Sequence, residues 1–117
     1  MNYTIGEFAH LTGFSIHTLR YYEKEGILKP ARRDNNHRFY SSRDVEWMKF
    51  IVRLKETGMP LKEIKQYASL RELGDETAQQ RMDLLVKHYD HLEQQLVTLN
   101  DHLANLKFKI HHYQKLI

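Results

Sequence analysis

Apolar and polar positions alternate along this chain with two different periods, and the change between them divides it. Thr4-Ile5-Gly6-Glu7 has capping-box spacing, a hydroxyl followed three residues later by a carboxylate. It predicts a short helix over 4–11 with Ile5, Phe8, Ala9 and Leu11 on its apolar side, ended by Thr12-Gly13. Phe14 connects. Ser15 is the predicted N-cap of a second helix over 16–25, closed by Gly26. Two short helices joined by a tight glycine-containing turn are the signature of a helix-turn-helix.

Pro30 then blocks helix, and Asp34-Asn35-Asn36 is turn chemistry, since Asn tolerates positive φ. Arg38-Phe39-Tyr40 favours a strand. The segment predicts a two-stranded hairpin, a wing, that carries Arg32, Arg33 and Arg38. Ser41-Ser42-Arg43-Asp44 repeats the cap pattern and opens a third helix. Its apolar positions are Val45, Trp47, Met48, Phe50, Ile51 and Leu54, and Gly58 stops it. Pro60 enters a fourth helix over 61–70, with Leu61, Ile64, Tyr67 and Ala68 inward. Leu73-Gly74-Asp75 breaks the chain, and Asp75 is the predicted cap of the last helix.

From residue 76 the period changes to a heptad. Met82, Tyr89, Leu96, Leu103, Ile110 and Ile117 fall at seven-residue steps. Leu85, Leu92, Leu99, Leu106 and Tyr113 stand three residues after the first five. This is a sustained coiled-coil seam. A helix of about 40 residues spans about 60 Å and cannot bury such a seam against so small a domain. The seam calls for a partner helix, most simply from a second copy. Leu85, Tyr89, Leu92, Leu96, Leu99, Leu103, Leu106 and Ile110 are the expected dimerisation residues. The expected fold is mainly α: a winged helix-turn-helix DNA-binding domain with a helix pair (1–72), then a long dimerising coiled-coil helix (75–117).

The 117 residues fit one domain plus an extension. No apolar run reaches the roughly 18 residues a membrane span needs. The start, MNYTIGEFAH, lacks a basic segment followed by an apolar one, so no secretory signal is expected. There are no cysteines, which excludes disulfides, thiolate metal sites and thiol redox chemistry by this chain. A cytoplasmic location is the default. The net charge of +3 is unevenly spread. Residues 1–70 carry 12 Lys and Arg against 8 Asp and Glu, and residues 71–117 carry 6 against 7. A basic domain on a neutral extension suits nucleic acid, although many enzymes carry as much charge.

At 100° per residue, Ile16, Leu19 and Glu23 define one side of the second helix. Ile16 and Leu19 are expected to pin it to the core. His17, Thr18 and Tyr21 lie opposite, with Arg20 on a flank. Recognition helices present base-reading groups near their N-terminus in the major groove. A merely solvated face is the alternative. For Arg32 and Arg33 it is a solvated turn pair, and their place beside a helix-turn-helix favours DNA.

Several segments together resemble the MerR family of transcription regulators. They are Ile5-Gly6-Glu7-Phe8-Ala9, Thr18-Leu19-Arg20-Tyr21-Tyr22-Glu23-Lys24-Glu25-Gly26-Ile27-Leu28, Pro30-Ala31-Arg32, Arg38-Phe39-Tyr40 and Asp44. The resemblance covers the whole chain. It implies a homodimer with an antiparallel coiled coil on a near-palindromic promoter element. It also implies distortion of an overlong promoter spacer so that RNA polymerase engages both hexamers, which is control through DNA shape. The family pattern carries DNA contact onto His17, Thr18, Arg20, Tyr21, Arg32, Arg38 and Tyr40. The stretch from Asp44 to Ile64 and the break at Gly74 are most similar to the small, stress-responsive branch, whose members often sense electrophiles through one cysteine in the third helix. Here Arg53 stands at the matching position, so thiol sensing and metal sensing by a cysteine pair are both excluded.

The implied partners are double-stranded promoter DNA, a second copy of the chain and RNA polymerase. A small-molecule effector of unknown identity is left open. No effector domain is expected after the coil, so a ligand is expected between the DNA-binding domain and the coil or at the dimer interface. No membrane and no cofactor are implied. His88 and His91, three apart, and His111-His112 could bind zinc or nickel. By heptad count, however, His88 and His102 flank the seam and His91 lies off it, so solvated or interhelical polar roles fit better, and no metal site is assigned. Histidines so grouped could also weaken the coil in mild acid. Trp47, Phe50 and Tyr67 read as core rather than a ligand pocket. No phosphate-binding glycine loop, nucleophile motif or carboxylate pair supports catalysis. Two rival readings remain: an architectural or excisionase-like DNA-binding protein, and a coiled-coil adaptor that docks to protein.

Overall fold

The structure is a computed structural model that describes residues 2–32 and 38–117, and of Arg32 only the backbone. Arg33 and the expected Asp34-Asn35-Asn36 turn lie outside the described residues. The elements run β1 (Asn2–Tyr3), α1 (Ile5–Thr12), α2 (Ile16–Lys24), β2 (Ala31–Arg32), β3 (Arg38–Ser41), α3 (Ser42–Glu56), α4 (Leu61–Glu72), a 3-10 turn (Asp75–Thr77) and α5 (Ala78–Gln114).

Side-chain chemistry sets the helix starts. Thr4 caps α1 reciprocally: Glu7 N–H donates to Thr4 Oγ1 at 3.2 Å, and Thr4 N–H donates to Glu7 Oε1 at 2.9 Å. The Thr4 amide holds the Glu7 carboxyl below the usual carboxylate range. Ser41 and Asp44 repeat the arrangement at α3, with N–H to oxygen distances of 2.9 and 3.2 Å. Pro60 stands at the N-cap of α4 with no side-chain cap, because its ring carries no oxygen to accept from the first free amides.

The sheet has three strands in the order β1-β3-β2, all antiparallel. Tyr3 pairs with Tyr40, and Arg32 with Arg38. The wing hairpin was expected and β1 was not. Two residues are too few to show alternation, and their partner strand lies far along the chain, so nothing local marks them.

Phe8, Leu19, Leu28, Tyr40, Met48 and Ile51 are fully buried and form the centre of the N-terminal core. Three residues expected inside are outside: Leu11, Ile16 and Leu61 are exposed. Ile16 and Leu61 are each the first residue of their helix. The chain reaches the core a turn later, at Leu19 and Tyr22 in α2 and at Ile64 in α4. Trp47, Phe50 and Tyr67 do pack as an aromatic cluster between α3 and α4. The Trp47 and Tyr67 rings stack with centroids 5.9 Å apart, and the Arg71 guanidinium lies 4.2 Å over Trp47. Trp47 Nε1–H donates to the Ile27 carbonyl at 2.8 Å, which ties α3 to the segment after α2.

The chain divides into two compact units, residues 1–81 and 82–117. The start of α5 is tied to the end of α4. Buried Thr77 donates from Oγ1 to the Leu70 and Gly74 carbonyls at 2.6 and 2.8 Å. Arg81 Nε–H donates back to Thr77 Oγ1 at 3.0 Å. Along the second unit, Leu96, Leu99, Leu103, Leu106 and Ile110 are each 56–60% exposed in the single chain, while Leu85 and Leu92 are half-buried. His88 is buried, unlike His91 and His102, so the solvated role does not describe it. No helix among the described residues is long and apolar enough to cross a membrane.

Candidate nucleic-acid interface

The turn between α1 and α2 holds the two helices at a fixed angle. Gly13 adopts φ 79°, and its N–H closes α1 on the Ala9 carbonyl at 2.9 Å. Thr12 Oγ1 donates to the Phe8 carbonyl at 2.9 Å. Ser15 then caps α2: its Oγ accepts the Thr18 N–H at 3.1 Å and donates to Thr18 Oγ1 at 2.9 Å.

With α2 anchored through Leu19 and Tyr22, its opposite face looks outward. His17 and Arg20 are exposed, Thr18 is half-buried, and Tyr21 is 41% exposed. The first turn of α2 carries no acidic residue, so the partial positive charge of its N-terminus is not opposed locally. Both carboxylates on α2 and its C-cap are engaged elsewhere. Glu25 pairs with Lys65 of α4 at 2.7 Å, a bond that lowers the Glu25 pKa and raises that of Lys65. Glu23 turns to β3. The charge left on the outward face is that of Arg20 and Lys24, which suits a polyanion.

Beside this face lies a cleft of about 470 Å3 lined by His17, Thr18, Tyr21, Tyr22, Lys55, Met59, Leu61 and Ile64. The Lys55 ammonium lies 6.0 Å from the ring centroids of both Phe14 and Tyr22. Three of the expected DNA contacts thus share one concavity with a lysine from α3.

On the wing, Arg38 and Tyr40 are two apart on β3 and therefore point to the same face of the strand. Both converge on Glu23. Arg38 Nη1 lies 3.1 Å from Glu23 Oε2, and the Tyr40 hydroxyl donates to Glu23 Oε1 in a short bond. Tyr40 is 0% exposed and its ring stacks on Phe8 at 4.3 Å. Burial and the Glu23 carboxylate push its phenol pKa well up. The assignment of Tyr40 to DNA is therefore corrected. Strand alternation turns it into the core, and its hydroxyl is spent inside the protein. Arg38 remains half-exposed at the edge, and Arg32 pairs with it through the backbone of β2.

Glu23 was missed as a site residue, although one signal was present. It is a carboxylate on the same helical side as Leu19, and an acid on a buried face needs a partner. That its partners are Arg38 and Tyr40 is decided only by the fold.

A helix-turn-helix with a basic, carboxylate-paired outer face and an antiparallel wing beside it defines a winged helix-turn-helix DNA-binding protein. The pattern described as MerR HTH family regulatory protein matches residues 3–70, and that described as MerR, DNA binding, matches residues 45–107. The chain belongs to the MerR family of transcription regulators. It is 36% identical over 116 residues to an uncharacterised HTH-type transcriptional regulator of Haemophilus influenzae, covering 98% of this chain and 86% of that protein. It is 32% identical to the uncharacterised HTH-type transcriptional regulator YyaN of Bacillus subtilis, covering 98% and 93%. Its fold matches the crystal structure of HiNmlR, a MerR family regulator lacking the sensor domain, bound to promoter DNA. That match has a TM-score of 0.84 and 35% identity over 98% of this chain and 92% of the other. A MerR family transcriptional regulator from Listeria monocytogenes matches with a TM-score of 0.87 and 27% identity, covering 96% and 86%.

Proposed function

We propose that the protein binds a near-palindromic promoter element as a homodimer and controls transcription by changing the shape of the promoter spacer for RNA polymerase. The observation that carries this reading is the outward face of α2, where His17, Thr18, Arg20 and Tyr21 stand together while both nearby carboxylates are paired. Residues 1–72 supply one recognition helix and one wing per copy, with Arg38 and the backbone-placed Arg32 at the wing. Residues 75–117 supply the dimer seam, through Leu85, Tyr89, Leu92, Leu96, Leu99, Leu103, Leu106 and Ile110. Two copies held at a fixed spacing select a two-fold symmetric site. A regulator related to this chain was crystallised on promoter DNA, which supports the choice of target. A small-molecule effector would act most directly in the cleft, whose walls include His17, Thr18 and Tyr21.

The test is footprinting of the purified protein on its own genome at fixed, near-physiological salt. A compact palindrome inside a promoter with an overlong spacer is expected. Scattered protection without a palindrome would replace this reading with an architectural one. On the footprinted duplex, Arg20→Ala and Arg38→Ala should each weaken binding and reduce the slope of affinity against salt by about one counterion. An unchanged slope in both would remove these arginines from the phosphate contacts.

A further inference from the structure

Glu23 is a largely buried acid beside a surface read as meeting a polyanion, and its placement is specific. Its side chain is only 10% exposed, and each carboxylate oxygen has its own partner on β3: the Tyr40 hydroxyl at Oε1 and Arg38 Nη1 at Oε2. The bridge joins residues 17 apart in the sequence. The Tyr40 end of the bridge is immobile, since that ring is fully buried and lies nearly parallel to Phe8 of α1, at 9°. At the other end Arg38 is 35% exposed. A guanidinium has five N–H donors in a rigid plane, so one edge can rest on Glu23 while the other faces outward.

We propose that Glu23 is a positioning residue for DNA recognition: it joins the wing to the recognition helix and aims Arg38, without touching DNA itself. This rests on the DNA-binding reading above. A recognition helix and a wing gain from meeting DNA together only if their mutual geometry is held closely. A floating Arg38 would still attract phosphates, but at any register. Glu23 therefore exchanges some general attraction for register, since pairing with Arg38 cancels one positive charge on the face.

The test compares full-length wild type with Glu23→Gln on the footprinted operator and on a random duplex of equal length. The amide keeps the shape and an acceptor for Tyr40 but removes the charge that holds Arg38. Operator binding is expected to fall about tenfold or more, the loss of one charge-assisted hydrogen bond. Random-duplex binding should stay level or tighten, because a cation is released. Arg38→Ala should then cost less operator affinity in the Glu23→Gln background than in wild type. A merely structural bridge would lower the fraction of active protein, read by stoichiometric titration, and leave the operator-to-random ratio and the coupling unchanged. That result overturns the assignment, as does wild-type behaviour. Glu23→Asp keeps the charge but is one methylene too short to reach both partners. It should lose part of the ratio, and a wild-type ratio there also overturns the assignment, even where Glu23→Gln is too unstable to purify. A wild-type protein that prefers no duplex at all would instead sink the DNA-binding reading.

Discussion

Tyr40 shows how one residue's surroundings decide its role. Its ring is stacked on Phe8 and its hydroxyl is held by Glu23. Tyr40→Phe preserves the stack and leaves Glu23 with one partner fewer. Loss of a buried hydrogen bond to a charged group should cost about 1.5–3 kcal/mol of unfolding free energy, measurable by urea denaturation. The same environment makes a pH prediction. The folded phenol holds its proton above its ordinary pKa of 10. Its contribution to stability is therefore full below pH 10 and is lost as pH rises beyond it, where the unfolded phenol ionises and the folded one does not. Wild type should lose stability in that window relative to Tyr40→Phe. Tyrosinate absorbance should include a Tyr40 component, absent from Tyr40→Phe, that appears only as the protein unfolds. A parallel decline in both proteins would contradict this. The sequence showed the Arg38-Phe39-Tyr40 strand but not its facing, because alternation gives two faces without saying which one the core takes.

At the scale of the elements, the cap chemistry was legible. Thr4, Ser15 and Ser41 stand where caps were read, because a cap is a contact between residues three apart. Two glycines in and beside α1 should respond with opposite signs. Gly13 lies at φ 79°, with nothing within 4 Å of an added Cβ, so Gly13→Ala suffers backbone strain alone and should destabilise by about 1 kcal/mol. Gly6 lies inside α1 in ordinary backbone conformation, and an added Cβ would meet Thr4 Oγ1 at 3.9 Å, an ordinary contact. Gly6→Ala should stabilise by about 0.5 kcal/mol. Denaturant midpoints that move the same way would refute the pairing. Helix beginnings were the weak point of the apolar pattern. Ile16 and Leu61 belong to the periodic stripe of their helices, yet the first turn of each overshoots the core. β1 escaped notice because two residues carry no period.

At the scale of the whole molecule, the proposed assembly rests on the seam of α5. A 37-residue helix, about 55 Å long, presents leucines that are more than half exposed in one chain. In the proposed dimer Leu99 meets the partner helix, and a carboxylate there would be buried without a partner. Leu99→Glu should sediment as a monomer at micromolar concentration and lose tight operator binding while its N-terminal unit keeps the melting behaviour of wild type. A dimeric Leu99→Glu protein, or one that binds the operator at full strength, would refute the seam. The helix-turn-helix, the hairpin strands and the heptad helix were all readable from the sequence, because each rests on contacts within a few residues or on a strict period. Tertiary structure alone decided that Tyr40 leaves the DNA face, that Glu23 joins α2 to β3, and that β1 completes the sheet. Each of these depends on residues far apart in the chain being brought to one place, and no local pattern records where a distant segment will come to rest.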